Sequence, residues 1–276
     1  MEAVVEKTDV KRALFASLEQ QIGPEIVLAS NTSTLPITHL AKGLIHPERF
    51  VGMHFFNPVS RKLVEIIRGA RTSDETVAAA VAFAVRIGKM PIVVRDGPGF
   101  LVNRLLFPYM NEAIELVLDG APLREIDEAA LAFGLPMGPV ALYDVVGIDT
   151  SFYAGRTMWT AFPERVLLSP LVMTLMKAGR LGKKTGRGFY CYENEGQEAE
   201  DDPSVMPFID KYRRENRHVS RDEIIQRLLL AMLQEATRLI DDEVVGDVRD
   251  IDLGAIYGAG FPAFRGGLMF WADSVG

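Results

Sequence analysis

The first 95 residues alternate between short β-branched runs and longer segments whose apolar residues recur at helical spacing. Periods of two and 3.6 residues distinguish strands from helices. Strands separated by helices predict a parallel α/β sheet, with ligands at the carboxyl ends of its strands. The predicted strands are 3–5, 26–29, 50–56, 63–67 and 91–94, and the predicted helices are 10–21, 36–42 and 74–87.

After the turn at 96–99 the pattern becomes helical throughout. The predicted helices are 100–118, 123–133, 150–160 and 171–178, with a further helix capped by Ser220-x-x-Glu223. Six of the ten residues from Glu193 to Asp202 are acidic, which is typical of a solvated linker. The predicted domains are 1–95, a partial dinucleotide-binding domain; 96–192, a helical substrate and dimerisation domain; 193–217, the acidic linker; and 218–276, a second helical copy.

The last segment repeats an earlier one, and this predicts a duplicated helical unit. Leucines at helical spacing match between two helical segments by chance. An Ile-Asp pair and a Gly-x-Pro element rarely match at corresponding positions by chance. The matched positions are 103–106 with 226–229, Glu112 with Glu235, Asp119 with Asp242, 126–127 with 251–252, and 134–136 with 260–262.

Composition indicates an ordinary globular protein, with 276 residues, 48% of them hydrophobic, and a net charge of -7. The acidic balance argues against generic binding of nucleic acid. The longest apolar run is too short for membrane insertion, and Cys191 is the single cysteine, so we expect a cytoplasmic location. His39, His46, His54 and His218 lack the spacing of a metal site, so no metal is predicted.

Neither glycine-rich string in the chain predicts a phosphate-binding loop. The string 258–263 fits GxGxxA, but it follows a helical pattern and contains Pro262. The string 182–185 lacks the upstream glycine of a P-loop.

Four other strings are better candidates for chemistry: 30–33 (SNTS), 54–59 (HFFNPV), 63–65 (LVE) and 97–104 (GPGFLVNR). The first two follow or finish predicted strands and the last begins a helix, so they can converge on one cleft. A carboxylate beside a histidine fixes the tautomer and stabilises the imidazolium, which makes a general base. Taken singly, His54 reads as a structural histidine and Glu65 as a surface carboxylate.

Together these strings resemble the L-3-hydroxyacyl-CoA dehydrogenase family over residues 2–192. Residues 218–276 resemble the extra C-terminal unit of multifunctional fatty-acid oxidation α-subunits, in which an enoyl-CoA hydratase domain precedes the dehydrogenase. The fold class that this implies is α/β plus all-α: a partial Rossmann-type sheet followed by a duplicated helical unit.

The resemblance also implies roles for individual residues. His54 corresponds to the catalytic base and Glu65 to its partner, while Ser33 and Asn103 correspond to groups at the substrate oxygen. The residues implied near the nicotinamide end of NAD are Glu6, Lys11, Ser33, Asn57 and Lys184, and Tyr257 is implied as a substrate contact from the second copy.

Two features depart from the family pattern. The loop between His54 and Glu65 is one residue shorter than usual, so the deletion must lie after Pro58 if both side chains are to share a face. The chain also begins at what resembles the fourth strand of the sheet, without the glycine fingerprint. We therefore expect an N-terminally truncated fragment with a compromised NAD site and a sheet edge that another chain could cover.

The activity implied is NAD-dependent oxidation of L-3-hydroxyacyl-CoA in fatty-acid β-oxidation. One alternative is a catalytically silent acyl-CoA-binding or dimerisation module; another is a dehydrogenase of a hydroxy acid without CoA. The implied partners are an acyl-CoA substrate, a second copy in a homodimer, and a thiolase in a multienzyme complex. A basic cluster either meets cofactor or CoA phosphates or is a solvated loop; it comprises Lys177, Arg180, Lys183, Lys184 and Arg187.

Overall fold

The computed structural model describes residues 1–58, 60–193 and 198–276, which form two compact units. Unit 1 contains Met1–Arg104, Ala236–Ala259 and Ala263–Gly276. Unit 2 contains Leu105–Glu235 and Gly260–Pro262. Each unit therefore combines segments from both halves of the sequence. Within the described ranges, no helix is both long and apolar enough to cross a membrane.

Unit 1 contains a four-stranded sheet of β1 (Leu28–Ser30), β2 (Phe50–Phe55), β3 (Leu63–Arg68) and β4 (Met90–Arg95), in that order. β1 is parallel to β2 and β3 is parallel to β4, but β2 and β3 are antiparallel. The prediction of a parallel sheet was wrong for this central pair. Residues 56–62 alone connect the two strands, and a parallel crossover needs a dozen residues or more.

The predicted strand at 3–5 is also not formed. The backbone of Glu2 alone reaches β1, donating from its N–H to the Ala29 carbonyl at 3.0 Å and accepting from the Asn31 N–H at 3.0 Å. Val4 and Val5 are exposed, so their β-branched side chains have no core to enter. The two valine side chains therefore have nothing to pack against, and strand propensity alone does not form a strand here.

Among the described residues of unit 1 there are five α-helices, and α3 covers one face of the sheet. Val77, Ala80 and Ala84 of α3 are buried against Val51 and Ile66 of the sheet. Amphipathic spacing on α3 thus places its apolar side on the sheet. These helices are α1 (Thr8–Glu19), α2 (Ile37–Leu40), α3 (Asp74–Arg86), α11 (Val248–Gly254) and α12 (Leu268–Val275).

The remaining α-helices agree with the helical pattern predicted after residue 99. They are α4 (Val102–Leu118), α5 (Leu123–Phe133), α6 (Pro139–Val146), α7 (Ile148–Ala161), α8 (Pro170–Lys177), α9 (Met206–Asp210) and α10 (Arg221–Asp241). The acidic stretch contains β6 (Glu200–Asp201), which pairs with β5 (Tyr190–Cys191), while its residues 194–197 lie outside the described ranges.

The predicted repeat is visible as one capping arrangement that occurs twice. Asp127 accepts hydrogen bonds from the N–H groups of Val140 and Ala141 at 2.8 and 3.0 Å, which caps α6. Asp252 accepts from Met269 and Phe270 at 2.7 and 3.3 Å, which caps α12 in the same way. The N-cap glycines Gly138 and Gly267 lie so close to the two aspartates that any Cβ would clash. Each copy therefore fixes its third helix by the same contact.

The alignment of the two copies also accounts for two ion pairs. In unit 1, Arg104 lies 2.9 Å from Asp242, and in unit 2, Arg227 lies 2.8 Å from Asp119. Arg104 corresponds to Arg227 and Asp119 corresponds to Asp242. In each pair, an arginine near the start of one copy's long helix meets the aspartate that follows the other copy's long helix.

A buried carboxylate organises the C-terminal end of the first copy, within unit 2. Asp144 accepts hydrogen bonds from the backbone N–H groups of Phe189 and Tyr190, both at 2.9 Å, and from the Tyr192 hydroxyl at 3.1 Å. The Asp144 residue is 1% exposed. Burial raises the pKa of Asp144 to about 6, although these hydrogen bonds oppose the rise.

This raised pKa makes the stability of the protein fall as pH rises. Between pH values of about 4 and 6 the folded protein keeps the Asp144 proton that the unfolded chain releases, so folding weakens through this window and levels off above it. We expect the stability advantage of the wild type over Asp144→Asn to shrink by about 2 kcal/mol between pH of about 4.5 and 7.5. Urea unfolding of both proteins at the two pH values measures the change, and an advantage that grows with pH would contradict it.

Candidate active site

His54 and Glu65 are direct cross-strand partners on β2 and β3 of unit 1. Opposed residues of an antiparallel pair project to the same face, and the Nδ1 atom of His54 lies 2.5 Å from the Oε2 atom of Glu65. A carboxylate can only accept, so Nδ1 carries a hydrogen, and in the neutral form of the ring Nε2 then has the lone pair. His54 is 4% exposed and Glu65 is fully buried, so little water screens the pair.

The short loop between the two strands does not disturb this register. His54 pairs with Glu65 and Phe55 pairs with Val64, so the deletion inferred from sequence is accommodated within residues 56–62. Val59, the last residue of the candidate string 54–59, lies outside the described residues. The two side chains therefore share one face of the sheet, as the pair requires.

The second oxygen of Glu65 is held by backbone. Its Oε1 atom accepts hydrogen bonds from the N–H groups of Leu101 and Val102, at 3.0 and 2.9 Å. Gly99 and Phe100 just before them both have left-handed backbone, with φ of 76° and 51°. This turn directs two consecutive N–H groups at one oxygen, the arrangement of an anion-binding nest. Glu65 is therefore oriented at both oxygens while it faces His54.

Two aromatic rings flank the His54 imidazole. The ring centroid of Phe56 lies 4.4 Å from that of His54, and the centroid of Phe100 lies 5.8 Å away. Phe100 is fully buried despite its left-handed φ, which in a bulky residue marks a strained backbone held by its surroundings. The apolar walls fix the ring plane of His54.

The loop after β1 brings together three other residues implied by the resemblance. The Asn103 side-chain amide donates to the Ser33 carbonyl at 2.9 Å, and the Ser33 N–H donates to the Glu6 carboxylate at 3.0 Å. Asn31 of the same loop accepts from the Phe55 N–H at 3.2 Å, which joins the loop to the strand of His54. Ser33, Asn103 and Glu6 thus form one connected group within unit 1.

Lys11 lies beneath this group rather than on its surface. Its ammonium group is fully buried, 2.9 Å from Glu2 and 3.2 Å from Glu6, and it donates to the Asn31 carbonyl at 3.2 Å. All three donors of a lysine ammonium have acceptors here. The structure therefore places Lys11 as a support for Glu6 and the loop.

The other implied residues are less closely gathered. Asn57 is exposed in the loop after β2, and Tyr257 is 38% exposed in a π-helix at Ala255–Ala259, both in unit 1. Lys184 is exposed in unit 2, where its ammonium lies 2.5 Å from Asp149. In the part of the chain that the structure describes, no three His, Cys, Asp or Glu side chains cluster as metal ligands.

The members of the basic cluster in unit 2 differ from one another: some are exposed, and others are buried or held in ion pairs. Arg180 is 7% exposed, and its guanidinium lies 2.7 Å from Asp202 and donates to the Gly188 carbonyl at 2.8 Å. Arg187 is paired with Glu193. Arg180 is therefore a structural member of unit 2.

Comparison with solved structures finds proteins of similar fold and sequence. The 3-hydroxybutyryl-CoA dehydrogenase of Escherichia coli K12 matches all of this chain and 74% of its own, with 28% identity and a TM-score of 0.85. The (S)-3-hydroxybutyryl-CoA dehydrogenase of Ralstonia eutropha is 43% identical over 70% of each chain, with a TM-score of 0.68. The dehydrogenase part of multifunctional enzyme 1 from C. elegans is 30% identical over 95% of this chain and 60% of its own, with a TM-score of 0.65.

Two family models match the chain in succession. Residues 1–97 match the 3-hydroxyacyl-CoA dehydrogenase NAD-binding domain, and residues 99–192 match the C-terminal domain of the same family. The family and the fold class inferred from sequence are confirmed, and with them NAD as the family's cofactor. Since the two matches together cover more than half of its residues, the chain belongs to the 3-hydroxyacyl-CoA dehydrogenase family of NAD-dependent oxidoreductases.

Proposed function

We propose that this protein oxidises L-3-hydroxyacyl-CoA to 3-ketoacyl-CoA with NAD, using His54 as general base and Glu65 as its partner. The observation that carries the proposal is the His54–Glu65 hydrogen bond, in which Glu65 is oriented by two backbone N–H groups. In its neutral form, a buried histidine with an oriented carboxylate on Nδ1 can accept a proton at Nε2.

In the proposed reaction, the C3 hydroxyl of the substrate lies against Nε2 of His54. The O–H proton moves to Nε2 as the C3–H electron pair leaves with its hydrogen as hydride, and the C3–O bond becomes a carbonyl. NAD supplies the hydride acceptor. Glu65 stabilises the imidazolium that results, and Ser33 and Asn103 orient the reacting oxygen without a change of charge.

The loop after β1 offers groups suited to the nicotinamide end of NAD. A carboxamide needs both donors and acceptors: the Ser33 hydroxyl can serve as either, and the partly exposed Glu6 carboxylate, which precedes α1 and is bonded to the Ser33 N–H, can accept. The glycine turn at 96–99 is a poor candidate for the pyrophosphate, because the N–H groups that follow it already bind Glu65. Asn57 and Lys184 stay proposals as cofactor contacts, and Tyr257 as a substrate contact.

A second candidate function is a silent acyl-CoA-binding module. It is favoured by one observation: the N–H groups of Leu101 and Val102, which follow the glycine-containing turn at 96–99, are already engaged by Glu65. The two candidates differ in cofactor binding. Only the dehydrogenase needs NAD.

Calorimetric titration and turnover of one protein preparation separate the candidates. We expect the protein to bind NAD, weakly because the NAD site expected from sequence is compromised, and to convert 3-hydroxybutyryl-CoA and NAD into acetoacetyl-CoA and NADH in equal amounts. Binding of acetoacetyl-CoA without NAD binding or turnover would favour the silent module instead. Turnover of 3-hydroxybutyrate as fast as its CoA ester would favour a dehydrogenase of free hydroxy acids.

The wider setting is also a proposal. Similarity to the dehydrogenase part of a multifunctional enzyme supports a role in a multienzyme β-oxidation complex with a thiolase. We also propose that the protein forms a homodimer and is located in the cytoplasm. Mass measurement of the purified protein in solution tests the dimer.

A further inference from the structure

Two glycines, four residues apart in the C-terminal segment of unit 1, lie against the side chains of the two residues whose backbone N–H groups orient Glu65. Gly254 ends α11, and Gly258 lies in the π-helix that follows. A Cβ atom added at Gly254 would lie 2.6 Å from Cδ2 of Leu101, and one added at Gly258 would lie 2.5 Å from Cγ2 of Val102. Neither position has room for a side chain.

Leu101 and Val102 are the two residues whose N–H groups bind Oε1 of Glu65. The added Cβ at Gly258 would also lie 2.9 Å from Leu63, which precedes Glu65 by two residues on β3 and so shares its face. The glycine face of the C-terminal segment therefore packs on the strand of Glu65 and on the turn that supplies its two donors.

One hydrogen bond ties the same segment to the loop between His54 and Glu65. Arg61 in that loop donates from Nη1 to the Gly258 carbonyl at 2.7 Å, and Lys89 donates to the Arg61 carbonyl at 2.8 Å. The π-helix is thus fixed at the carbonyl of the residue that contacts Val102. π-Helical turns are rare and occur frequently at functional sites.

The turn that carries these donors needs such support. Gly99 and Phe100 have consecutive left-handed conformations, and this conformation is costly for phenylalanine. Strained backbone persists only where its surroundings over-determine it. The contacts of Gly254 and Gly258 with the Leu101 and Val102 side chains supply that constraint.

We propose that Val248–Ala259 is a buttress for the catalytic pair, with Gly254, Gly258 and Arg61 as positioning residues that hold the Leu101 and Val102 amides on Glu65. This rests on the proposed function, since it assigns the second helical copy a part in that reaction. A displaced turn leaves Glu65 less well oriented and His54 a poorer base, while Ser33, on the loop after β1, keeps its proposed contact with the substrate.

The test compares Gly258→Ala with Gly246→Ala. Gly246 has nothing within 4 Å of an added Cβ and no left-handed φ, so it is the matched control. We expect Gly258→Ala to lower kcat about 10- to 100-fold with little change in KM, because small misplacements of catalytic groups have effects of this size. Gly246→Ala should behave as wild type. Equal kcat in all three proteins would overturn the proposal.

A second set of variants removes the tie without adding atoms. Arg61→Ala should lower kcat, and Arg61→Lys, which keeps a donor, should restore part of it with KM unchanged. Arg12→Ala is the control, because Arg12 also donates to a backbone carbonyl, that of Lys42, at 2.9 Å. Loss of activity in Arg12→Ala equal to that in Arg61→Ala would show a general effect on folding and overturn the assignment.

Amide exchange keeps this inference separate from the proposed activity. In Gly258→Ala and Arg61→Ala, exchange at the Leu101 and Val102 amides should be faster than in wild type, and in Gly246→Ala it should be unchanged. If the wild type oxidises no 3-hydroxyacyl-CoA, the proposed function fails while exchange still tests the buttress. Unchanged exchange in both variants would overturn the buttress even in an active enzyme.

Discussion

Replacing His54 with alanine should lower kcat for oxidation of 3-hydroxybutyryl-CoA by about 100- to 10,000-fold, the usual cost of removing a general base. Nε2 of His54 is the group placed to take the hydroxyl proton, because Nδ1 is engaged by Glu65 at 2.5 Å. Steady-state formation of NADH measures the loss. KM should change much less, because orientation by Ser33 and Asn103 survives.

His46 provides the matched control. Its Nδ1 atom lies 3.0 Å from Glu48, so it is also a histidine–glutamate pair, but both side chains are about half exposed. His46→Ala should retain wild-type kcat. A His54→Ala protein that is folded and fully active would contradict the role assigned to His54.

Replacing Glu65 with glutamine should cost about 1,000- to 10,000-fold in kcat, through the tautomer of His54. The Leu101 and Val102 N–H groups require an oxygen, so they hold the glutamine carbonyl and turn its NH2 group toward Nδ1. Nδ1 must then accept, Nε2 must carry the hydrogen, and the base loses its lone pair. The pH optimum and kcat, measured together, report this change.

Glu19→Gln separates this effect from general destabilisation. Glu19 is 7% exposed and accepts from the backbone N–H groups of Ile45 and His46 at 2.7 and 2.8 Å. Replacing Glu19 with glutamine should lower the free energy of unfolding by about 1–3 kcal/mol, because the amide has one oxygen for two N–H donors. It should leave kcat unchanged. Similar losses of kcat in the two variants would show that Glu65 acts only through stability.

The elements that could be predicted from sequence were those with a clear local period. The short apolar runs at 50–56 and 63–67 predict strands β2 and β3, and the length of the loop between them then sets which residues are opposed. Helices α4 and α5 follow from apolar spacing closed by Gly120 and Gly134. Strand direction was mistaken for the central pair because connection length, rather than residue pattern, decides it.

The contacts that could not be predicted from sequence are those of groups that no residue type marks, such as backbone amides. The donors to Glu65 are backbone amides of Leu101 and Val102, which any residue could supply. The available signal was the glycine turn just before them, which was assigned both to a domain boundary and to the candidate string 97–104, but this signal names no partner for the two amides. The approach of Gly254 and Gly258 to this turn joins positions more than half the chain apart, which no local pattern reports.

Transfer of label from C3 of the substrate tests the central claim most directly. The protein is incubated with NAD and 3-hydroxybutyryl-CoA that carries deuterium at C3, and both products are analysed by mass spectrometry. We expect one deuterium in each reduced nicotinamide that is formed, and one acetoacetyl-CoA for each reduced nicotinamide. Binding of the CoA ester with no deuterium in the nicotinamide would contradict it.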